Sequence, residues 1–111
     1  MSKLTKRDGL NPLMNNTKWD EVRLAMYDMP SSPSFIVHDV DGKSWPDSEW
    51  FYHFRVASYD TILATDILFS DEEQRKEVLS RLRAINVPGE ILDDRVRVLG
   101  YSRDGQEVHY V

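Results

Sequence analysis

The segment Glu49-Trp50-Phe51-Tyr52-His53-Phe54-Arg55 contains five consecutive ring side chains, and it decides the predicted fold. Large rings bury about 150–250 Å² each and are enriched in β-strands, so the run is typical of a central strand in an antiparallel sheet. Side chains alternate along a strand. The face predicted to be core carries Trp50, Tyr52 and Phe54. The other face is mixed and carries Glu49, Phe51, His53 and Arg55.

Two helices are predicted on either side of this segment. The first has Thr17 as its N-cap, with an acid three residues later, and it ends before Pro30. Its apolar stripe, spaced for one helix face, is Trp19, Val22, Met26 and Met29. The second begins after the N-cap Ser70 and ends at Asn86. Its apolar face is Val78, Leu79, Leu82 and Ile85.

Four further strands complete the predicted sheet. Alternation and β-branched residues indicate strands at 35–40 and 61–69, and a loop at 43–48 leads into the ring segment. Asp104-Gly105 predicts a hairpin between 95–101 and 107–111, with Gly100 opposite His109. The expected fold is α+β: an antiparallel sheet of about five strands with two helices, in the order α-β-β-β-α-β-β. An open sheet face would favour a homodimer or another partner.

The length of 111 residues is that of one domain, which we place at 17–111. Residues 1–16 lack periodicity and are predicted to form a flexible basic arm. Residues 1–18 carry four cations and one acid, a charge of +3, so the net charge of −5 leaves −8 on the other 93 residues. An acidic body makes nucleic acid an unlikely partner and suits a protein with a basic surface, although acidity also simply maintains solubility.

Several classes of protein find no support in the sequence. Without Cys there is no disulfide or thiol nucleophile, which fits a cytoplasmic protein. No apolar run reaches the ~18 residues of a membrane span, and we expect no membrane association. No phosphate loop, dinucleotide turn or serine elbow is present, and we expect no cofactor. Asp39-Val40-Asp41-Gly42 departs from a calcium loop because its Gly comes too early.

The residues predicted to bind a partner combine carboxylates with a ring, as interface hot spots for a basic protein do. They are Asp39, Asp41, Trp45, Asp47 and Glu49. The first hypothesis is a non-enzymatic binding protein that uses the 39–50 loop and the 49–55 strand. The plain alternative is a solvated loop whose Trp residues fill the core.

The second hypothesis is a small enzyme or ligand-binding domain with a pocket under the sheet. Its residues would be Phe51, His53 and Arg55 together with a carboxylate. The three histidines all lie on predicted strands: His38, His53 and His109. None has the spacing of a metal-binding motif, so we predict no metal site and assign no catalytic residue.

The helix segment Thr17-Lys18-Trp19-Asp20-Glu21, together with the ring segment 49–55, resembles a family of small bacterial proteins of unknown function. The resemblance also takes in Val87-Pro88-Gly89-Glu90 and the strand from Arg97 to Tyr101. It implies no activity, because the family has no assigned catalytic residues. In size and acidity its members are similar to bacterial immunity proteins, an analogy of type rather than of motif.

Overall fold

The computed structural model describes residues 9–56 and 58–111. It confirms the α+β class and the order α-β-β-β-α-β-β for the two helices and the five strands of the main sheet. The helices are α1 (Asn16–Tyr27) and α2 (Glu72–Ile85). The main-sheet strands are β2 (Phe35–Asp39), β3 (Ser44–Asp47), β4 (Ile62–Leu68), β5 (Gly89–Ile91) and β6 (Arg95–Leu99). Two further strands, β1 (Leu10–Pro12) and β7 (Tyr101–Arg103), form a separate antiparallel pair.

The main sheet is antiparallel, with strand order β3-β2-β4-β6-β5, so β4 lies in its middle. One sheet face packs against both helices, and it buries Phe35, Val37, Val96 and Val98 in a single core. The predicted apolar faces of α1 and α2 are confirmed in that core, with Ile85 partly buried. On the described residues no helix is both long and apolar enough to cross a bilayer.

Both helices begin one or two residues from the predicted caps. The N-cap of α1 is Asn15, whose Oδ1 accepts the Lys18 N–H at 2.8 Å, and not Thr17. The N-cap of α2 is Asp71 rather than Ser70, and it accepts the Gln74 N–H at 2.8 Å. Asn86 ends α2 as predicted, in the left-handed conformation with φ 68°. Several residues near each end could cap a helix, and tertiary contacts select among them.

The prediction of a strand at 49–55 is wrong. The segment is a turn followed by a short 3₁₀ helix, His53–Arg55. Trp50 and Phe54 are each 1% exposed, whereas Tyr52 is 64% exposed. Positions i and i+4 share one face of a helical turn, which puts two rings inside and leaves Tyr52 out. The second strand of the sheet is instead β3, from the segment predicted as a loop, and its Pro46 is tolerated at the sheet edge.

The predicted C-terminal hairpin is also wrong. β6 ends at Leu99 and pairs with β4 and β5, while β7 pairs with β1. Asp104-Gly105 forms a turn after β7, but residues 107–111 make only an isolated bridge, between Tyr110 and Pro88. Gly100 lies between β6 and β7. A Cβ at this position would lie 2.1 Å from the Ile62 carbonyl oxygen and 3.2 Å from the Trp19 ring, so there is no room for a side chain. The space at Gly100 is therefore filled by β4 and α1, not by His109.

The predicted arm, 1–16, lies partly outside the described residues, which begin at Gly9. Within it, Leu10 is 5% exposed and faces Arg103 across the β1–β7 pair. The Leu13 N–H donates to the Gly100 carbonyl at 2.9 Å. The segment from β1 to α1 is thus bonded to the rest of the domain.

Candidate functional site

Two of the predicted partner-binding residues, Asp47 and Glu49, hold the ring segment in its turn. The Asp47 carboxylate accepts the N–H groups of Ser48 at 2.7 Å and Glu49 at 3.0 Å, and its other oxygen lies 2.9 Å from His53 Nδ1. Glu49 accepts the N–H groups of Phe51, Tyr52 and His53 at 3.2, 2.9 and 2.9 Å. The first N–H groups of any helix have no acceptor within the helix, and these two carboxylates accept hydrogen bonds from them here.

These bonds also keep both carboxylates charged. The N–H groups of His53 and Tyr52 lower the pKa of Glu49. For Asp47, partial burial would raise the pKa, but the N–H groups of Glu49 and Ser48 and the His53 ring outweigh it and lower the pKa. Both side chains are therefore anionic at neutral pH and well into the acidic range.

Three rings meet on the surface above this turn, and we call Tyr27, Phe51 and Tyr52 the ring patch. The ring centres of Tyr27 and Phe51 are 4.9 Å apart, and those of Phe51 and Tyr52 are 4.7 Å apart. Tyr27 is 52% exposed and Tyr52 is 64% exposed, whereas Trp19, Phe35, Trp50 and Phe54 are buried. The patch is therefore an apolar surface rather than a part of the core.

The ring patch is held from below by Arg23 of α1. Arg23 is 6% exposed, and its guanidinium carbon lies 5.2 Å from the centre of the Phe51 ring. Its Nη1 donates to the Phe51 carbonyl at 2.5 Å, and its Nε donates to Asp20 at 3.3 Å. A guanidinium that both stacks on a ring and binds its backbone fixes the position of that ring.

Carboxylates border the ring patch along α1 as well as along the turn. Asp20 accepts a hydrogen bond from the Tyr59 hydroxyl at 2.5 Å, and this bond, with the hydrogen bond and the charge of Arg23, lowers the pKa of Asp20 against the opposing effect of burial. Asp28 follows Tyr27 directly; its side chain is 83% exposed, and its Oδ2 lies 3.7 Å from Arg81 Nη1. Asp20 is thus linked to the patch through Arg23, Asp28 through its neighbour Tyr27, and Asp47 and Glu49 through the turn, and we call these four carboxylates the border.

The other three predicted partner-binding residues lie elsewhere. Asp39 and Asp41 form the β2–β3 turn, where Asp39 accepts the Asp41 N–H at 3.2 Å and Asp41 accepts the Lys43 N–H at 2.9 Å. Trp45 is half-buried, with its ring centre 6.0 Å from that of Phe35. β3, roughly 10 Å long, separates the Asp41 turn from Asp47, so the five residues do not form one surface.

The residues of the alternative pocket do not converge either. Phe51 belongs to the ring patch, and His53 and Arg55 are exposed on the short 3₁₀ helix, whose Phe54 points into the core. The carboxylate partner of His53 is Asp47. His53 therefore helps to hold the turn.

A second cluster of charged residues lies on the sheet face opposite the helices. Asp66, in the middle of β4, is fully buried beneath Arg95, Arg97 and His38. Arg97 donates from Nε to Oδ1 at 2.7 Å and from Nη2 to Oδ2 at 3.0 Å. Oδ2 also lies 3.1 Å from Arg95 Nη1 and 3.0 Å from His38 Nε2. Burial would raise the pKa of Asp66, but these three partners outweigh it and lower the pKa to about 2.

His38 links Asp66 to Ser44 of the edge strand, because its Nδ1 lies 2.8 Å from Ser44 Oγ. An ionised carboxylate only accepts, so His38 Nε2 carries a proton toward Asp66. The order serine, imidazole, carboxylate is that of an activated nucleophile. The charge of Asp66 is nevertheless shared with two guanidinium groups, so this carboxylate does not act on His38 alone. The geometry therefore favours a fixed polar rim over a general base.

An open cavity of about 360 Å³ lies on this face, and we call it the sheet-face cavity. Its apolar floor is formed by Leu63, Ala64, Leu99 and Tyr101. Its polar rim includes His38, Lys43, Ser44, Arg97 and Arg103. Asp39, a predicted partner-binding residue, lies on the same rim. Among the residues that the structure describes, no group of His, Asp and Glu side chains is arranged to hold a metal ion.

The sequence matches a family of unknown function, DUF6678, over residues 1–105. The chain belongs to this family. Comparisons with curated proteins and with solved structures found no match. The DUF6678 match spans the ring patch and the lining residues of the sheet-face cavity as far as Arg103, but the family carries no activity that could be assigned to either.

The sequence analysis did not single out Tyr27, a ring of the patch, or Asp66, which lies buried beneath the rim of the sheet-face cavity. A signal for Asp66 was present: a carboxylate inside the apolar segment 61–69 requires buried partners, and Arg95-Val96-Arg97 offers two cations on one strand face. For Tyr27 the signal was weaker. It lies one position off the apolar stripe of α1, on the solvent side.

Proposed function

We propose that this member of DUF6678 is a non-enzymatic protein-binding module that contacts a basic partner protein through the ring patch and its bordering carboxylates. Covering a partner's surface in this way is how an inhibitor or immunity-type protein works, and the absence of Cys suits action in the cytoplasm. The observation that carries the proposal is the exposure of Tyr27 and Tyr52 around a Phe51 held in place by Arg23.

Exposed tyrosines in a fixed arrangement are what hot spots of protein interfaces require. A tyrosine ring supplies a large contact area at a low entropic cost because it has few rotatable bonds. Here the neighbouring ring, the stacked guanidinium of Arg23 and the bonds of Glu49 fix the patch before a partner arrives. Such preorganisation leaves less entropy to be lost on binding.

The bordering charges indicate the kind of partner. The border supplies four carboxylates, and the lowered pKa values of Asp20, Asp47 and Glu49 keep those three ionised. Negative charge around an apolar centre attracts lysines and arginines and speeds their encounter. Two copies of the chain joined through this patch would instead oppose like charges, so the proposal favours a different, basic protein over a homodimer.

The test is affinity capture from the native host with the intact chain and with Tyr27→Ser/Tyr52→Ser, followed by direct binding measurements on the purified captured protein. Both tyrosines are more than half exposed, so the double variant is expected to fold normally. Loss of two hot-spot rings should weaken the complex by about a hundredfold. The partner should have a basic surface, and added salt should slow its association.

Tyr110→Ser is the matched control, because Tyr110 is also exposed, at 56%, but lies beside β5 at the opposite sheet edge from β3. It should bind the partner like the intact chain. Asp47 and Glu49 are unsuitable first targets because they hold the turn. Equal affinity of the double variant and the control, or a partner whose contact surface is acidic, would contradict the proposal.

A further inference from the structure

We propose that the sheet-face cavity binds a small organic anion, whose charged group is held by Lys43 and Arg103 and whose apolar body lies on the floor. This site is separate from the ring patch and does not depend on the proposed partner. Its volume, about 360 Å³, is within the usual range of small-molecule sites.

Charge on the rim indicates an anion. The cavity is lined by three cationic side chains, Lys43, Arg97 and Arg103, against one carboxylate, Asp39. Asp66 lies beneath them, and its oxygens are already bonded to Arg97, Arg95 and His38. Because Arg97 is paired with Asp66, the cations left to receive an anion at this cavity are Lys43 and Arg103, against the carboxylate of Asp39.

Two of these cations have room for a ligand. The Lys43 side chain is 84% exposed, and its ammonium lies 3.9 Å from the Asp41 carboxylate, a distant contact. Across the described residues, no ion pair involves the guanidinium of Arg103. Arg97 binds Asp66 through Nε and Nη2, which leaves its Nη1 as a further donor. Arginine and lysine donors that converge on one cavity suit a carboxylate or a phosphate monoester.

The rest of the cavity explains why the anion should carry an apolar body. The floor consists of Leu63, Ala64, Leu99 and the buried Tyr101. A bare inorganic ion would leave this floor in contact with water, whereas a ring or short alkyl chain would cover it. His38, fixed between Ser44 and Asp66, sets one wall of the site.

The experiment is an NMR titration of the full chain with four probes: phenyl phosphate, benzoate, inorganic phosphate and neutral benzyl alcohol. At least one organic anion should bind with a Kd of about 1 mM or tighter and shift the amides of Gly42, Ala64 and Leu99. The tighter of phenyl phosphate and benzoate identifies the headgroup. Inorganic phosphate and benzyl alcohol should each bind at least about tenfold more weakly, because each satisfies only half of the site.

The double variant Lys43→Gln/Arg103→Gln should bind the organic anion with a Kd at least about tenfold higher than that of the intact chain. Arg83→Gln, which removes an exposed cation from the last turn of α2, is the matched control and should change nothing. The proposal is overturned if no organic anion binds, if either partial probe binds as tightly, or if the double variant retains the affinity of the intact chain. Unchanged amide spectra of both variants without ligand would show that they remain folded.

Discussion

At Thr65, in the middle of β4, a hydroxyl is buried on the helix-facing side of the sheet. Thr65 is fully buried, and its Oγ1 has no hydrogen-bond partner among the described residues. Its neighbours across the sheet are Val37 and Val98, which are also buried. A hydroxyl removed from water without a partner costs free energy that a methyl group of the same shape does not.

Thr65→Val should therefore raise the free energy of unfolding by about 1 kcal/mol. Urea unfolding followed by tryptophan fluorescence measures the change. Thr65→Ala also leaves a small cavity, so its free energy of unfolding should rise by less than that of Thr65→Val. A lower free energy of unfolding for Thr65→Val would mean that the hydroxyl has a partner in solution.

Asp66 predicts how stability depends on pH. Its pKa in the folded chain is about 2, against 3.8 for a free side chain. The ionised form therefore stabilises the fold fully above pH 3.8, and this contribution is lost as the pH falls through about 2. The lost amount is about 2 kcal/mol, and Asp20, Asp47 and Glu49, whose pKa values are also lowered, should add to the same acid limb.

An NMR titration that follows the carboxyl carbon of Asp66 in the intact chain measures its pKa directly. Asp66→Asn should destabilise the fold at neutral pH by about 2 kcal/mol, because it removes the counter-charge that Arg95 and Arg97 share. Asp94→Asn, which removes an exposed partner of Arg95, is the control and should have little effect. An Asp66 pKa at or above its free value would refute the buried cluster.

At the scale of elements, Gly100 lets two parts of the chain approach closely. A Cβ at this position would lie 2.1 Å from the Ile62 carbonyl oxygen, which belongs to the backbone and cannot rotate away. Gly105 is different: a Cβ there would meet nothing within 4 Å, although its φ of +79° favours glycine.

Gly100→Ala should accordingly lower the free energy of unfolding by more than about 2 kcal/mol, because β4 and the β6–β7 junction must move apart. Gly105→Ala should cost about 1 kcal/mol, from backbone strain alone. Thermal unfolding of the two variants compares them. Equal losses would show that the contact with Ile62 is not as close as the structure has it.

The helices could be predicted from the sequence because their signals are local and agree with one another. Apolar residues recur with the helical period, acids occupy the first turn of α2, and Asn86 ends that helix. The ring segment could not be placed by ring content alone, since rings are buried equally well by a strand or by a turn. Asp47-Ser48-Glu49 is a pattern typical of a helix start, and Trp50 and Phe54 have helical spacing. These residues together indicate a helical turn and not a strand.

The prediction of a C-terminal hairpin was wrong for a different reason. Asp104-Gly105 does form a turn, but the partner of the strand before it is β1, which lies more than eighty residues earlier in the chain. Pairing at that separation leaves no local signal. The candidate site likewise combines local and distant parts of the chain. Asp47 and Glu49 lie next to the rings in the sequence, whereas Tyr27 contacts Phe51 only because α1 packs on the turn.

At the scale of the whole molecule, the two surfaces differ in charge. The ring patch has a border of four carboxylates, while the sheet-face cavity has three cationic side chains on its rim. The patch uses α1 and the turn after β3, and the cavity uses β2, the start of β3, β4, β6 and β7, so β3 lies between the two surfaces with Ser44 at one end and Asp47 at the other. A basic partner and an organic anion would therefore bind without competing.

Hydrogen exchange of the chain, alone and in complex with its purified partner, tests the central claim most directly. Protection at the partner surface should appear in the second half of α1, around Tyr27, and in the turn from Glu49 to Arg55. The amides of β5 and β7, which lie away from the ring patch, should exchange at the same rate in both states. Protection confined to those strands, with none at the turn, would contradict the claim that the ring patch is the binding surface.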